Sequence, residues 1–430
     1  MREIQLPTRY HLISPITGNT FEDNGWILDA PGDPKPSLLS SVYDKIQIEL
    51  NDDHYGIYKF GDWLPLHQIL EGSSAPVTIK SEKFAQKLGL KNLYITFSGY
   101  WPEQGALMRT CSFKETEAFS VCARLRPEQH QTLVVASAGN TARAFARVCS
   151  DNNIPLLLSV PSDTLSALWF DTPLRDCVTL ISPPPGCDYY DAIHLSNKVC
   201  QIDGFIPEGG AKNIARRDGM ATTVLSAANT IGRIPDLYFQ AIGSGTGAIA
   251  AWEANLRLLA DGRFGSHKMK LFLSQNYPFH PMVDAWKARS RELFPQDDQQ
   301  AREQVMEISA KVLSNRKPPW GIIGGLFDAM VDTDGELVSM TNREAADAAR
   351  LFEETEGIDI HPAAAVATAS LIQAVNNKSV SPDAVIMLNI TGGGEERFKR
   401  EKGSLDFLKP LLVISPDVTV EELATKLSAL

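Results

Sequence analysis

Four short segments carry the residue types that could do chemistry. In chain order they are residues 110–115 (TCSFKE), 137–141 (SAGNT), 243–247 (GSGTG) and 391–394 (TGGG). They offer an amine, an amide, a set of closely spaced glycine N–H groups and a hydroxyl. Such groups could bind and activate a small phosphorylated molecule.

Lys114 is the candidate for covalent chemistry. A single lysine is usually a solvated surface group. Beside small residues and Phe113 it could instead be desolvated, which lowers its pKa and leaves an uncharged amine able to attack a carbonyl carbon. Cys111 could be a nucleophile, although a small buried apolar residue is the more common role of a cysteine. The residues alone leave these alternatives open.

The glycine-rich segment 243–247 follows an apolar run and precedes a helical pattern. A loop of this kind exposes backbone N–H groups beside a helix N-terminus, which together bind a phosphate. No Gly-Lys-Ser/Thr follows, and the glycines are spaced G-x-G-x-G, so the segment is neither a P-loop nor a dinucleotide fingerprint. It predicts a site for one phosphate, with tight packing of the turn as the alternative.

The other two segments have ordinary structural explanations. Asn140 could cap a helix that begins there, and Thr391 could be a turn residue at the end of a strand. Neither segment is specific alone.

The elements that must position these segments are short apolar strands that alternate with helices. The predicted strands are 132–136, 154–160, 178–181, 237–242, 269–274 and 384–390, and the predicted helices are 140–150, 214–231, 246–260, 342–356 and 362–376. Continuous apolar strands between helices indicate an α/β fold with parallel sheets covered on both faces. Three of the four segments follow predicted strands, at the carboxyl edge where open α/β sheets bind ligands.

In this order, the four segments resemble the β family of pyridoxal-phosphate enzymes (fold type II), and within it the threonine synthase branch. Residues 56–60 (GIYKF), 88–94 (LGLKNLY) and 362–365 (PAAA) are similar as well, so the resemblance covers about residues 56–396. It implies a tryptophan synthase β-like fold with two α/β lobes, mostly parallel sheets and an N-terminal extension. The expected division is 1–75 for the extension, 76–112 with 236–430 for a large cofactor-binding domain, and 113–235 for a small domain.

The resemblance also implies the cofactor, pyridoxal 5′-phosphate, and the residues that bind it. Lys114 corresponds to the lysine that holds the cofactor covalently, and Asn140 to the asparagine that donates to the pyridoxal 3′-oxygen. Thr391 corresponds to the hydroxyl that faces the pyridine nitrogen. The residues corresponding to the phosphate-binding loop are Gly243, Ser244, Gly245, Thr246 and Gly247.

The lysine segment departs from threonine synthases, which usually read TGSFKDRG. Here Cys111 replaces the glycine, Glu115 replaces the aspartate, the downstream arginine is absent and an arginine stands at position 109. This variant resembles the cysteate synthase family, which replaces the phosphate of O-phospho-L-serine by sulfite to give L-cysteate, a step toward coenzyme M. The alternatives are a threonine synthase acting on O-phospho-L-homoserine and a non-catalytic homologue that binds pyridoxal phosphate.

Either substrate carries a phosphate, so cationic groups should bind it. Arg109, Arg216 and Arg217 are the candidates, because a guanidinium matches phosphate oxygens bidentately. For Arg216 and Arg217 a solvated helix face is an equally good interpretation. Ser112 and Thr141 could donate to substrate oxygens, with helix capping as the alternative.

Composition restricts the kinds of partner that the protein is expected to bind. The 430 residues carry a net charge of −11, which disfavours nucleic acid as a main partner. No apolar run approaches the ~20 residues of a membrane span, and residues 1–7 do not resemble a targeting signal. Six cysteines without C-x-x-C, and no histidine pair at ligand spacing, predict no local metal site and a reducing cytoplasm. The family resemblance implies self-association.

Overall fold

The computed structural model describes residues 4–51 and 54–429. Residues 1–3, 52, 53 and 430 lie outside the described residues. The first three belong to the segment in which no targeting signal is expected, and 1–3, 52 and 53 to the predicted N-terminal extension.

The described residues form strands of two to seven residues. In chain order they are β1 (Tyr10–Ile13), β2 (Thr20–Phe21), β3 (Ser40–Tyr43), β4 (Val77–Lys80), β5 (Asn92–Phe97), β6 (Tyr100–Trp101), β7 (Ala106–Leu107), β8 (Thr132–Ala136), β9 (Leu156–Ser159), β10 (Trp169–Phe170), β11 (Val178–Ser182), β12 (Phe205–Pro207), β13 (Leu237–Ala241), β14 (Lys270–Asn276), β15 (Glu336–Met340), β16 (Val385–Ile390), β17 (Asp406–Phe407) and β18 (Leu412–Val413).

The helices are α1 (Lys83–Leu88), α2 (Lys114–Arg124), α3 (Asn140–Asp151), α4 (Tyr189–Val199), α5 (Ile214–Ile231), α6 (Thr246–Asp261), α7 (Pro281–Lys287), α8 (Asp298–Glu307), α9 (Leu326–Asp332), α10 (Asn342–Glu356), α11 (Pro362–Asn376), α12 (Glu395–Lys402) and α13 (Val420–Ser428). Short 3₁₀ turns occupy Gly56–Trp63, Pro102–Gln104, Ser162–Ala167, Gly210–Lys212 and Lys311–Leu313. Among the described residues, no helix has both the length and the apolar character needed to cross a membrane.

A six-stranded sheet has the order β15-β14-β13-β16-β5-β4 and is parallel except for the antiparallel edge pair β4 and β5. Its central strand β16 is buried along its whole length, as expected for a parallel strand covered on both faces. Helix α11 packs on β13, β14 and β16, and α5 packs on β4 and β5. Two apolar clusters, one on each face, result from this packing.

A five-stranded sheet has the order β12-β8-β9-β11-β18, and every pair in it is parallel. Helix α3 packs on one face with an apolar cluster that includes Phe145 and Leu158. Helix α4 packs on β8 and β9 from the other face. Both sheets are therefore sandwiched between helices, and the predicted α/β class with mostly parallel sheets is confirmed.

The sequence patterns correctly predict the first and last residues of several elements. Strand 132–136 and helices 214–231, 342–356 and 362–376 have the predicted bounds. Glycine follows two of these helices at their C-termini, at Gly232 and Gly357 in the left-handed region, and Pro362 begins a third. Because glycine ends helices and proline begins them, these residues allow the helix bounds to be predicted from the sequence.

The N-terminal extension includes a three-stranded antiparallel sheet with the order β2-β1-β3. Leu12 and Leu39 pack against Ile214 at the start of α5. The extension is thus anchored to the helix that covers the six-stranded sheet.

Two segments pack on a sheet that lies far from them in the sequence. Strand β18 extends the five-stranded sheet, with Leu412 paired to Ile181. Met220 and Val224 of α5 belong to the apolar core of the six-stranded sheet. The expected division, with the C-terminal residues in the large domain and α5 in the small one, remains a prediction.

The C-terminal helix α13 should therefore stabilise the five-stranded sheet. Leu423 is completely buried beside Ile181 and Leu195, so Leu423→Ala should lower the free energy of unfolding by about 2–5 kcal/mol. Urea unfolding followed by circular dichroism measures the change. Leu411→Ala is the matched control, because Leu411 is 56% exposed and its loss should cost less than about 0.5 kcal/mol. Equal effects of both changes would contradict the placement of α13.

Candidate active site

Lys114 is placed by backbone pairing between two segments far apart in the sequence. It is the first residue of α2, and residues 111–113 run antiparallel to 391–393. The Phe113 N–H donates to the Thr391 carbonyl oxygen at 2.9 Å, and the Gly393 N–H donates to the Cys111 carbonyl oxygen at 3.1 Å. The lysine is thereby held beside the residue that follows β16.

The three glycines after Thr391 allow this close approach. A β-carbon at Gly392 would lie 2.2 Å from His361 Nδ1 and 2.9 Å from the Cys111 carbonyl oxygen. A β-carbon at Gly394 would lie 1.9 Å from the Tyr100 carbonyl oxygen. Contacts this short cannot form, so only glycine fits these positions.

All eight predicted cofactor residues line one cavity, the inner cavity. The other lining residues come from the strand before the glycine loop, from a covering 3₁₀ turn and from the start of α11. The lining comprises Phe113, Lys114, Asn140, Gln240, Ala241, Ile242, Gly243, Ser244, Gly245, Thr246, Gly247, Val312, Leu313, His361, Ala363 and Thr391.

One end of the inner cavity suits a phosphate. The glycine loop joins β13 to the N-terminus of α6, and Gly245 has a φ of 81°, which permits the turn. Within the described residues, the N–H groups of Gly243, Ser244 and Gly245 donate to no protein acceptor. Free N–H groups beside the N-terminus of a sixteen-residue helix form an anion site.

The other end offers an amine, an amide and a hydroxyl. Asn140 does not cap its helix: Gly139 occupies the cap position without a side-chain bond, and Asn140 Oδ1 accepts from Arg143 Nη2 at 3.2 Å. The capping interpretation of Asn140 is therefore wrong, and Asn140 lines the inner cavity. An amine for an aldehyde, an amide for a ring oxygen, a hydroxyl for a ring nitrogen and N–H groups for a phosphate fit pyridoxal phosphate.

Burial and a neighbouring carboxylate act on Lys114 in opposite directions. The side chain is 22% exposed, and Nζ lies 3.1 Å from Glu117 Oε2 and 4.8 Å from the centre of the Phe113 ring. Burial lowers the pKa of Lys114, and the Glu117 carboxylate opposes that shift.

A second cavity of about 480 Å³ adjoins the first and shares Asn140, Val312, His361 and Ala363 with it. We call it the outer cavity. A single carboxylate, Glu395 at the start of α12, organises its wall. It accepts hydrogen bonds from Arg143 Nη2 at 3.0 Å and Trp169 Nε1 at 3.1 Å, and it lies 2.9 Å from His361 Nε2 and 2.6 Å from Lys399 Nζ.

Glu395 joins segments from both parts of the site. Arg143 belongs to α3, which packs on the five-stranded sheet, and Trp169 belongs to β10. His361 directly precedes α11, which packs on the six-stranded sheet, and Lys399 lies in α12. Burial alone would raise the pKa of Glu395, but the hydrogen bond from His361 and the charge of Arg143 outweigh it and hold the pKa below its usual range. The carboxylate is thus a charged link between the layers.

Two of the predicted substrate-binding arginines lie away from the inner cavity. Arg109 is engaged by Asp171 at 2.7 Å and Asp151 at 2.9 Å. Arg217 is buried and donates to Glu253 at 2.9 Å and to the Leu39 carbonyl oxygen. Both guanidinium groups bind the protein's own acceptors.

Of the other three candidates, Arg216 and Ser112 are linked to Lys114 by contacts. Arg216 Nη2 donates to Glu117 Oε1 at 2.8 Å, so it reaches the lysine through that carboxylate. Ser112 Oγ is buried and accepts from the Lys114 N–H at 3.2 Å. Thr141 follows Asn140 in the first turn of α3 and is 8% exposed.

The sequence patterns assign no role to Glu117, Arg143, His361 or Glu395, which the structure places at the site. Glu117 stands three residues after Lys114 on one helix face, which is a signal that could indicate it, and Arg143 has the same spacing from Asn140. Nothing local in the sequence indicates that His361, which precedes Pro362, reaches Glu395. In the described part of the chain, no three His, Cys, Asp or Glu side chains converge to hold a metal.

The fold and the cavity define a pyridoxal-phosphate-dependent enzyme, and residues 77–392 match the family model "Pyridoxal-phosphate dependent enzyme". The chain belongs to the cysteate synthase family. It is 50% identical to the cysteate synthase of Methanosarcina barkeri over 90% of this chain and 93% of that one. It is 47% identical to that of Methanocella arvoryzae over 96% and 98% of the two chains.

Solved structures agree on the fold. Maize serine racemase matches with a TM-score of 0.56 and 14% identity over 76% of this chain and 93% of that chain. Threonine deaminase isoform 2 from Solanum lycopersicum matches with a TM-score of 0.53 and 17% identity over 76% and 86%. At these identities the likeness concerns the fold alone.

Glu395 should contribute to stability in a pH-dependent way. A carboxylate with a depressed pKa stabilises the folded state above its unfolded pKa of about 4.3, and the contribution decreases as the pH falls below that value. Glu395→Gln should therefore lower the free energy of unfolding at pH 7 by about 1–3 kcal/mol. The deficit relative to wild type should shrink by about 1 kcal/mol at pH 3.5.

Urea unfolding at the two pH values measures the deficit. The control is Glu396→Gln, which changes the neighbouring exposed carboxylate and should leave both values near wild type. A deficit for Glu395→Gln that is the same at pH 7 and pH 3.5 would contradict the charged link.

Proposed function

We propose that this protein makes L-cysteate, replacing the phosphate of O-phospho-L-serine by sulfite and releasing inorganic phosphate, as a step toward coenzyme M. The observation that carries the proposal is the 50% identity to a cysteate synthase over 90% of this chain and 93% of the relative. The inner cavity supports it, because its groups suit the cofactor that such a β-replacement needs.

We propose the following roles for the residues of the inner cavity. Lys114 Nζ binds the aldehyde carbon of the cofactor, and the N–H groups of the glycine loop 243–247 bind its phosphate. Asn140 donates to the 3′-oxygen. The Thr391 hydroxyl faces the ring nitrogen, and because a hydroxyl is a weaker partner than a carboxylate, the ring need not be protonated. A moderated electron sink suits elimination and replacement better than transamination.

Lys114 also moves the proton in the reaction. When bound, the cofactor withdraws electrons from Cα of the amino acid, which acidifies the Cα proton and permits loss of phosphate from Cβ. Once the substrate amine has taken the place of Lys114 on the cofactor, the freed Lys114 amine takes the Cα proton as general base. After sulfite has bonded to Cβ, the same amine returns the proton to Cα. Burial of Lys114, which lowers its pKa, favours the uncharged form that a base requires.

Fewer residues remain as candidates for binding the substrate. Thr141 remains a proposed hydroxyl donor to substrate oxygens, because it is next to Asn140 at the cavity. We assign Arg109 and Arg217 to holding the protein together, since carboxylates already occupy their guanidinium groups. Arg216 acts through Glu117, and Ser112 shapes the segment before Lys114.

We further propose that the enzyme self-associates and works in a reducing cytoplasm. Six cysteines without a disulfide among them are consistent with that compartment. We also propose two lobes that close over the cofactor.

The role of Lys114 can be tested through cofactor retention. Lys114→Ala removes the amine, so borohydride treatment of the cofactor-loaded variant should fix no phosphopyridoxyl group to the chain. Wild type should gain one group, on the peptide that contains residue 114, as intact-mass and peptide mass spectrometry report. The control is Lys399→Ala, which removes an outer-cavity lysine and should still be labelled at Lys114. Labelling of wild type at another lysine would refute the assignment.

The reaction can be tested with two substrate mixtures. O-phospho-L-serine with sulfite should yield L-cysteate and one equivalent of phosphate, measured by amino-acid chromatography and phosphate release. O-phospho-L-homoserine in water should yield no threonine. Threonine from the second mixture without cysteate from the first would show a threonine synthase. Products from neither mixture, with bound cofactor, would favour the non-catalytic homologue.

A further inference from the structure

A chain of four charged groups, three of them buried, begins at the reactive amine. Lys114 Nζ lies 3.1 Å from Glu117 Oε2, and Glu117 Oε1 accepts from Arg216 Nη2 at 2.8 Å. Arg216 Nε lies 3.4 Å from Glu208 Oε1. Glu117 is completely buried, and Arg216 and Glu208 are 9% and 6% exposed. We call Lys114, Glu117, Arg216 and Glu208 the lysine network.

The charges of the lysine network balance only when Lys114 carries a proton. Glu117 and Glu208 supply two negative charges, and Arg216 and protonated Lys114 supply two positive ones. If the lysine nitrogen is neutral, one negative charge remains without compensation in a buried site, which is costly. The network therefore favours a proton on the lysine nitrogen, against the effect of burial.

Glu117 is the member that contacts the amine. It stands three residues after Lys114 in α2, so the same helix face carries both side chains, and Arg216 of α5 fixes the far oxygen of its carboxylate. The charge of Arg216, added to that of Lys114, outweighs burial and lowers the pKa of Glu117. The carboxylate thus stays charged and oriented toward Nζ.

We propose that Glu117 is a positioning residue for Lys114: it directs Nζ into the inner cavity and favours a proton on that nitrogen, including when the nitrogen is bonded to the cofactor. The inference rests on the proposed function only for the role of Lys114. It adds a group that controls when the lysine can give up and take back the Cα proton.

Other groups near the network do not replace Glu117. From α4, Tyr189 faces Arg216 and the two carboxylates. His361, which directly precedes α11, also lines the inner cavity, as does the uncharged Thr391. The negative charges that act on Lys114 are those of Glu117 and, further away, Glu208.

The test is a pH titration of the visible absorbance of the bound cofactor in the full-length holoenzyme. The absorbance reports protonation of the nitrogen that joins Lys114 to the cofactor. Glu117→Gln removes the nearest negative charge and should lower the midpoint by about 1 pH unit or more. Glu117→Asp, which restores the charge, should return the midpoint toward that of wild type.

The chain offers a matched control, a buried ion pair that joins α5 to α6. Arg217, next to Arg216, makes a buried ion pair with Glu253 at 2.9 Å, and this pair lies outside the inner cavity lining. Glu253→Gln should lower stability without moving the absorbance midpoint. An unchanged midpoint in Glu117→Gln, or an equal shift in Glu253→Gln, would overturn the proposal.

A milder variant keeps the test available if Glu117→Gln does not fold. Glu208→Gln removes the second carboxylate and should lower the midpoint by a smaller amount, whereas no shift would contradict the network. A failed cysteate assay would leave the titration interpretable, because it monitors the bound cofactor and not turnover. The two proposals can therefore fail separately.

Discussion

The whole site depends on the antiparallel pairing of residues 111–113 with 391–393. Two backbone hydrogen bonds join the start of α2 to the exit of β16, and thereby fix Lys114 beside Thr391 and opposite the glycine loop. The pairing requires glycine at 392, where a β-carbon would overlap the Cys111 carbonyl oxygen, and glycine at 394 lets the same segment pass the Tyr100 carbonyl oxygen. The glycines after Thr391 thus serve close approach of backbone, whereas those at 243–247 leave N–H groups free for a phosphate. The two glycine-rich segments, 391–394 and 243–247, therefore have different physical roles.

Buried ion pairs are the second constraint. The chain is acidic overall, with a net charge of −11, yet the groups around the site are balanced locally. An arginine buried without a partner is costly, and the structure supplies carboxylates to each of the three arginines that seemed suited to a substrate phosphate. The same rule explains Glu395, whose charge is balanced by Arg143 of α3 and Lys399 of α12 and which also contacts His361. Local pairing, and not net charge, determines what the site can bind.

Much of the fold and of the cofactor site could be predicted from the sequence, because the signals are local. Helix 362–376 has a proline start, helix 342–356 ends at a glycine, and the four chemical segments keep the order of a known family. The substrate arginines could not be judged in this way, since the partners of Arg109 and Arg217 stand at positions 171 and 253 and meet them only in the folded chain. The C-terminal strand joined the other sheet for the same reason: its partner, Ile181, is far away in sequence. The position of Glu117, three residues after Lys114, could be identified from the sequence. Its contact with Arg216 could not be predicted, because the two residues meet only in the folded chain.

The most direct test of the account is a crystal structure of the protein with pyridoxal phosphate. We expect continuous electron density from Lys114 Nζ to the cofactor, the cofactor phosphate within hydrogen-bonding distance of the N–H groups of residues 243–247, and Asn140 at the 3′-oxygen. Density that joins the cofactor to a different lysine, or a phosphate bound away from the glycine loop, would contradict the central claim that the pairing of 111–113 with 391–393 builds the cofactor site.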